Sequence, residues 1–115
     1  MKQNASSRKV NEQCRETIAS LLLFDISDPR LNLVTITACE VSFDRSVAHV
    51  FYTTESNRYK EVEQAFEKAS GRIKHLLSQK LSWRVAPNLR FILDTSVDQA
   101  ERISAALQEE AKHWN

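Results

Sequence analysis

The residues best suited to chemistry are cations gathered about the chain's single glycine. Arg72, Lys74 and His75 follow directly on Ala69-Ser70-Gly71, with Lys68 just before them and Lys80 and Arg84 beyond. Ammonium and guanidinium groups grouped in this way hold phosphate oxygens; they do not by themselves break bonds. If a helix restarts at Gly71, its free N–H groups and the positive end of its dipole add to the same field. A local reading stays open beside this one, in which Gly71 ends a helix as a left-handed cap or admits a close neighbour. The cations have their own alternative, an ordinary solvated helix face.

Catalytic sets are not found. His49, His75 and His113 fall on three different elements, and no HExxH, phosphate loop or paired-cysteine ligand set occurs. Glu40 and His49 stand opposite each other in the hairpin read below, where a solvated cross-strand pair accounts for them better than acid-base work. Cys39 and His49 point to opposite faces of that hairpin, which disfavours nucleophilic catalysis. Cys14 and Cys39 each fall within an apolar pattern and read as buried free thiols. The expectation is a protein with no catalytic residues, no metal and no cofactor.

Composition narrows the field further. At 115 residues, with 42% hydrophobic and 27% charged, the chain reads as one globular domain over residues 6–114. A net charge of +1 means that any grip on phosphate comes from a local patch and not from a bulk field. No apolar run reaches membrane-spanning length and the start, MKQNASSRK, lacks a signal peptide's apolar core, so the expected address is the cytoplasm.

The elements that must position the cations follow from periodicity. Over Glu61 to Leu81, the residues Val62, Ala65, Phe66, Ala69, Ile73, Leu76, Leu77 and Leu81 recur at helical steps, yet Gly71 sits inside. An interior glycine costs about 1 kcal/mol relative to alanine. The stretch therefore reads as a kinked helix pair hinged at residues 69 to 71. Before it, Ser6 or Ser7 caps a first helix with an apolar stripe of Val10, Cys14, Ile18, Leu21 and Leu22, which stops ahead of a turn at Asp28-Pro29-Arg30. Val34 to Ser42 and Val47 to Thr54 alternate as strands of a hairpin. A turn centred on Asp44 and Arg45 sets Cys39 against Val50, Val41 against Ala48 and Glu40 against His49.

Ser56 and Asn57 supply caps for the broken helix, which ends before Pro87. Leu89, Phe91 and Leu93 then mark a third strand over residues 88 to 94, and Ser96 with Gln99 forms a capping box for a last helix through Val97, Ala100, Ile103, Ala106, Leu107 and Trp114. The order helix, strand, strand, kinked helix pair, strand, helix predicts an α+β fold: a three-stranded sheet with helices on one face. That crossover is the topology of a KH-type RNA-binding domain of the second kind, with Ala69-Ser70-Gly71 where its Gly-x-x-Gly loop would stand.

Several strings, in this order and spacing, resemble the bacterial ribosome-binding factor A family from Arg8 to Leu107. They are Asp28-Pro29-Arg30-Leu31, Val34-Thr35-Ile36-Thr37, Val41-Ser42-Phe43-Asp44 with Ala48 and Val50, Ala69-Ser70-Gly71, and Arg84, Pro87, Leu89, Phe91 and Asp94-Thr95-Ser96. The resemblance implies a non-enzymatic assembly factor that binds free immature 30S subunits and 16S rRNA, assists 16S rRNA processing and serves growth at low temperature. A monomer with no membrane partner is expected. Carried over by position, Ala69, Ser70, Gly71, Arg72, Lys74, Arg84 and Arg90 face RNA. His75 joins them by its place beside the glycine, and Arg30 and Arg45 are outlying candidates. Trp83 or Phe43 could stack on an unpaired base, with core packing as the alternative for each. The rival reading is a KH-like domain that serves as a protein-protein interaction module without RNA.

Overall fold

A computed structural model describes residues 5–95; the helix expected from Ser96 onward lies outside them. The elements run α1 (Ala5–Phe24), a 3-10 turn (Pro29–Leu31), β1 (Thr35–Val41), β2 (Val47–Thr53), a second 3-10 turn (Ser56–Arg58), α2 (Tyr59–Lys80) and β3 (Asn88–Leu93). The sheet order is β1-β2-β3, with β1 antiparallel to β2 and β2 parallel to β3. A parallel pair needs a crossover, and α2 is that crossover.

The hairpin register is the one the alternation predicts: Cys39 pairs with Val50, Glu40 with His49 and Val41 with Ala48. The ladder shifts between Ile36 and Ala38, which leaves Thr37 as an extra residue. Cys39, Ala48 and Val50 are buried on the helix side with Ile36 and Tyr52, while Glu40 and His49 are exposed on the other. Leu89, Phe91 and Leu93 continue this inner face across β3. Both thiols, Cys14 and Cys39, are free and buried.

Helix α1 buries Cys14, Ile18, Leu21 and Leu22 against the sheet. It is already helical at Ser6 and Ser7, so neither caps it. Among the described residues Asn11 is the one buried polar side chain, and its Oδ1 accepts the Val41 N–H at 2.8 Å. That bond satisfies a donor on the outer edge of β1. After α1, the Asp28 carboxylate accepts the Arg30 N–H at 3.0 Å and grips the Arg30 guanidinium at 3.0 and 2.8 Å. Pro29 opens this 3-10 turn at no hydrogen-bonding cost, since its missing N–H would have had no partner there.

The expectation of a helix pair is corrected by α2. It is one continuous helix of 22 residues, and Gly71 does not adopt a positive φ. A Cβ built on Gly71 would meet nothing within 4 Å. The glycine is therefore neither a left-handed cap nor a place of close approach, and no second helix starts there with free N–H groups. The physical reason lies in the stripe that α2 buries. Val62, Ala65 and Phe66 before the glycine and Ile73 and Leu77 after it are all held against the sheet, and tertiary packing of both halves outweighs a local cost of about 1 kcal/mol. Ser56 and Asn57 form the 3-10 turn and are not caps of α2. Arg58 fixes the entry instead, donating from Nη2 to the Arg30 carbonyl at 2.7 Å and from Nε to Glu61 at 3.0 Å.

Urea unfolding tests two of these local arrangements. Gly71→Ala fills open space on a helix and should stabilise the chain by roughly 0.5–1 kcal/mol; a loss of stability would mean that position 71 is strained. The second test concerns pH. Arg30 holds the Asp28 carboxyl below the usual carboxylate range, mainly through the side-chain hydrogen bonds and with help from the Arg30 N–H. A folded-state value below the unfolded one stabilises above the unfolded pKa of about 3.9, and that stabilisation is lost as pH falls through the lowered folded value. The gap in urea midpoint between the parent and Asp28→Asn should thus be full at neutral pH and shrink below about pH 4; a gap of constant size would disprove the linkage.

Candidate nucleic-acid interface

Two of the cations picked out in the sequence, Lys74 and Arg45, lie where the hairpin turn, the start of β3 and the second half of α2 meet. Lys74 Nζ donates to Asn88 Oδ1 at 2.7 Å, and the Asn88 N–H donates to the Ser46 carbonyl at 2.8 Å. This relay ties helix, edge strand and hairpin loop together. The loop itself is closed by Asp44, whose carboxylate accepts the Ser46 N–H at 3.1 Å, the Ser46 hydroxyl at 2.7 Å and the Ser42 hydroxyl at 2.8 Å. These donors, Ser46 first, hold the Asp44 carboxyl below its ordinary range.

The loop leaves Arg45 at φ 60°, the one positive φ among the described residues. In that conformation its guanidinium lies 5.0 Å from the centre of the Trp83 ring, a cation–π distance. Trp83 is half-buried against the core, and Arg84 beside it is exposed. The tryptophan therefore takes its packing role on one side and presents a cation on the other. Phe43, at the tip of the same loop, is fully exposed.

Gly71 and Arg72 are exposed on α2, with Ala69 and Ser70 half-buried behind them. The Ser70 hydroxyl donates to the Glu67 carbonyl at 3.3 Å, a bond back into its own helix that leaves its oxygen able to accept. His75 is exposed, 3.3 Å from Gln79 Nε2. Arg90 pairs with His49 along β3 and, with Ser70, lines a groove between α2 and β3. Arg45, Arg72, Lys74, Arg84 and Arg90 form no ion pair among the described residues, whereas Arg15, Arg30 and Arg58 each hold a carboxylate.

The structure thus separates the candidates. Arg45 joins Lys74, Trp83 and Arg84 at one corner, close to the exposed backbone at Gly71. Arg30 does not: it is committed to Asp28 and carries Arg58 on its carbonyl, at the other end of α2. Sequence reading misses Asn88 and Ser46, the relay that sets Lys74 in place. Their only signal is position, at the entrance to β3 and the exit of the hairpin loop. Among the described residues no group of three His, Cys, Asp or Glu side chains could hold a metal, and no helix is long and apolar enough to cross a membrane.

Comparison with known proteins gives the arrangement its context. A family model described as ribosome-binding factor A matches residues 6–107. The protein of that name from Methylobacillus flagellatus is 36% identical over 110 residues, spanning 95% of this chain and 87% of its own length. The one from Coxiella burnetii is 36% identical over 106 residues, spanning 91% and 89%. The crystal structure of ribosome-binding factor A from Thermus thermophilus superposes with a TM-score of 0.67 at 26% identity, covering 76% of this chain and 94% of that one. A homology model of the Thermus thermophilus factor, fitted into a cryo-electron microscopy map of a complex with 30S, superposes at 0.59 with 26% identity over 74% of this chain and 91% of that one. A family match over nearly the whole chain, with relatives matched over most of their own length, places this chain in the ribosome-binding factor A family.

Proposed function

We propose that this chain binds free, immature 30S subunits by gripping 16S rRNA at the corner formed by Arg45, Lys74, Trp83 and Arg84 and at Arg72 beside Gly71, and that it assists maturation of that RNA. Membership of a family of ribosome-binding factors, which are assembly factors and not enzymes, supports the general role. The observation that carries the site is the set of cations that form no ion pair among the described residues, near the relay from Lys74 through Asn88 to Ser46. Phosphate contacts there supply affinity, and an exposed helix backbone at Gly71 lets a folded RNA strand approach closely. Phe43, exposed at the loop tip, is a platform for an unpaired base, a contact worth about 1–3 kcal/mol in single-strand binders. Ala69, Ser70, His75 and Arg90 flank this surface, while Arg30 serves α2 and stands outside it. In this reading the protein acts as a monomer in the cytoplasm and matters most for growth in the cold, when misfolded RNA rearranges slowly.

Co-sedimentation with small subunits tests the reading. Arg72→Ala with Arg84→Ala should weaken association about tenfold or more and flatten its dependence on log salt by roughly the share of two phosphate contacts, with an unchanged unfolding midpoint. Gly71→Trp should remain folded, because the site is open, yet lose association. Salt-insensitive binding that survives these changes would favour a protein-protein module instead.

A further inference from the structure

Among the described residues the outward edge of β3 has no partner, whereas on β1 one outward donor, that of Val41, is taken. The N–H groups of Asn88 and Asp94 donate to Ser46 and Tyr52 of the β2 side, at 2.8 and 2.7 Å. By the alternation of a parallel ladder, the N–H and C=O groups of Leu89, Phe91 and Leu93 then face away from β2. On β1 the corresponding donor at Val41 is taken by Asn11. No contact among the described residues takes those of β3. Beyond this edge runs the groove of about 480 Å³ between β3 and α2, floored by Phe66, Leu89 and Phe91. Its helix wall presents Glu63, Glu67 and Ser70, while Arg90 and His49 border it from the opposite face of the sheet, so the acids stand on the helix side alone.

These two carboxylates are exposed, stand one turn apart and form no ion pair among the described residues. Like charges at this spacing destabilise a helix. The charge of Glu63 reaches Tyr52 across the groove and, after burial, is the second cause that pushes its hydroxyl pKa up.

We infer that the β3 edge takes up an extended basic peptide from another chain, which adds as a fourth strand and places alternate Lys or Arg side chains against Glu63 and Glu67. The spacings agree. Four residues advance about 6 Å along a helix, and two residues advance about 6.6 Å along a strand, so side chains at i and i+2 of the guest reach both acids. Main-chain bonds to Leu89, Phe91 and Leu93 supply affinity and the acids supply selectivity. Other occupants fit less well. The chain's own residues 96–115 carry Asp98, Glu101, Glu109 and Glu110 against Arg102 and Lys112. A second copy of β3 would offer Leu89, Phe91 and Leu93 on the helix side, with no cation among them. A nucleic-acid backbone would meet two carboxylates. The inference rests on Glu63, Glu67 and the main chain of β3 and not on Arg72, Lys74 or Arg84, although Ser70 and Arg90 border both surfaces.

The test is an NMR titration of the full chain with a capped peptide of about seven residues alternating Lys and Val, and with its counterpart carrying Glu for Lys. The Lys peptide should shift the amides of Leu89, Phe91 and Leu93 and slow their exchange, and the Glu peptide should bind at least about tenfold more weakly. Glu63→Gln with Glu67→Gln should reduce affinity for the Lys peptide by at least about tenfold while the rest of the spectrum is retained. Equal binding of the two peptides, an unchanged affinity of the double variant, shifts confined to other surfaces, or a single-stranded RNA oligomer taking the same amides more tightly would each overturn it.

Discussion

Phe66 is the contact through which the rest of the molecule is set. Its ring stacks on Phe91 with centroids 4.1 Å apart and planes 13° apart, and meets Tyr52 at 4.7 Å and 51°. One side chain of α2 thus touches both parallel strands. Aromatic pairs of this kind contribute about 0.5–1.5 kcal/mol each beyond the area they bury. Their larger effect here is positional. With Phe66 fixed, the helix has one rotation about its axis, and that rotation puts Lys74 within reach of Asn88 and Glu67 over the open edge of β3.

That rotation also explains how a chain with net charge +1 presents surfaces of opposite sign. The helix faces that are not buried look two ways. The side toward β3 carries Glu63 and Glu67 in its first half and Lys74, bonded to Asn88, in its second, whereas Arg72, two residues from Lys74, projects from the other side of the helix. A count of charges averages these to nearly zero, so composition is blind to them. What composition does establish is that any phosphate grip must be local, and the cations at the hairpin end are local in that sense.

The fold is legible in the sequence where a periodic pattern faces a single buried surface. Alternation alone yields the hairpin register, since a slip of one residue would turn Cys39 and Val50 out to solvent and Glu40 and His49 in. Gly71 defeats the same approach because its cost is local, whereas the outcome belongs to the buried residues that pack on both sides of it. The corner is half legible. Lys74 and Arg84 group by their nearness to the end of α2, but Arg45 reaches Trp83 only because a non-glycine residue adopts a left-handed turn, and no sequence rule demands that. Arg30 stands apart from the corner for the opposite reason: Asp28, two residues away, already pairs with it.

The glycine then needs a different account from the one its position first suggests. In the free protein it gives no turn, no positive φ and no room for a neighbour, so it is a cost of about 1 kcal/mol with no structural return. Local rules are broken without compensation mainly where a site is used. An exposed stretch of bare helix backbone, next to Arg72 and across from a relay that holds Lys74, is the arrangement a closely approaching phosphate chain requires. Alanine would serve the fold better at this point, and the proposed interface is what distinguishes the two residues.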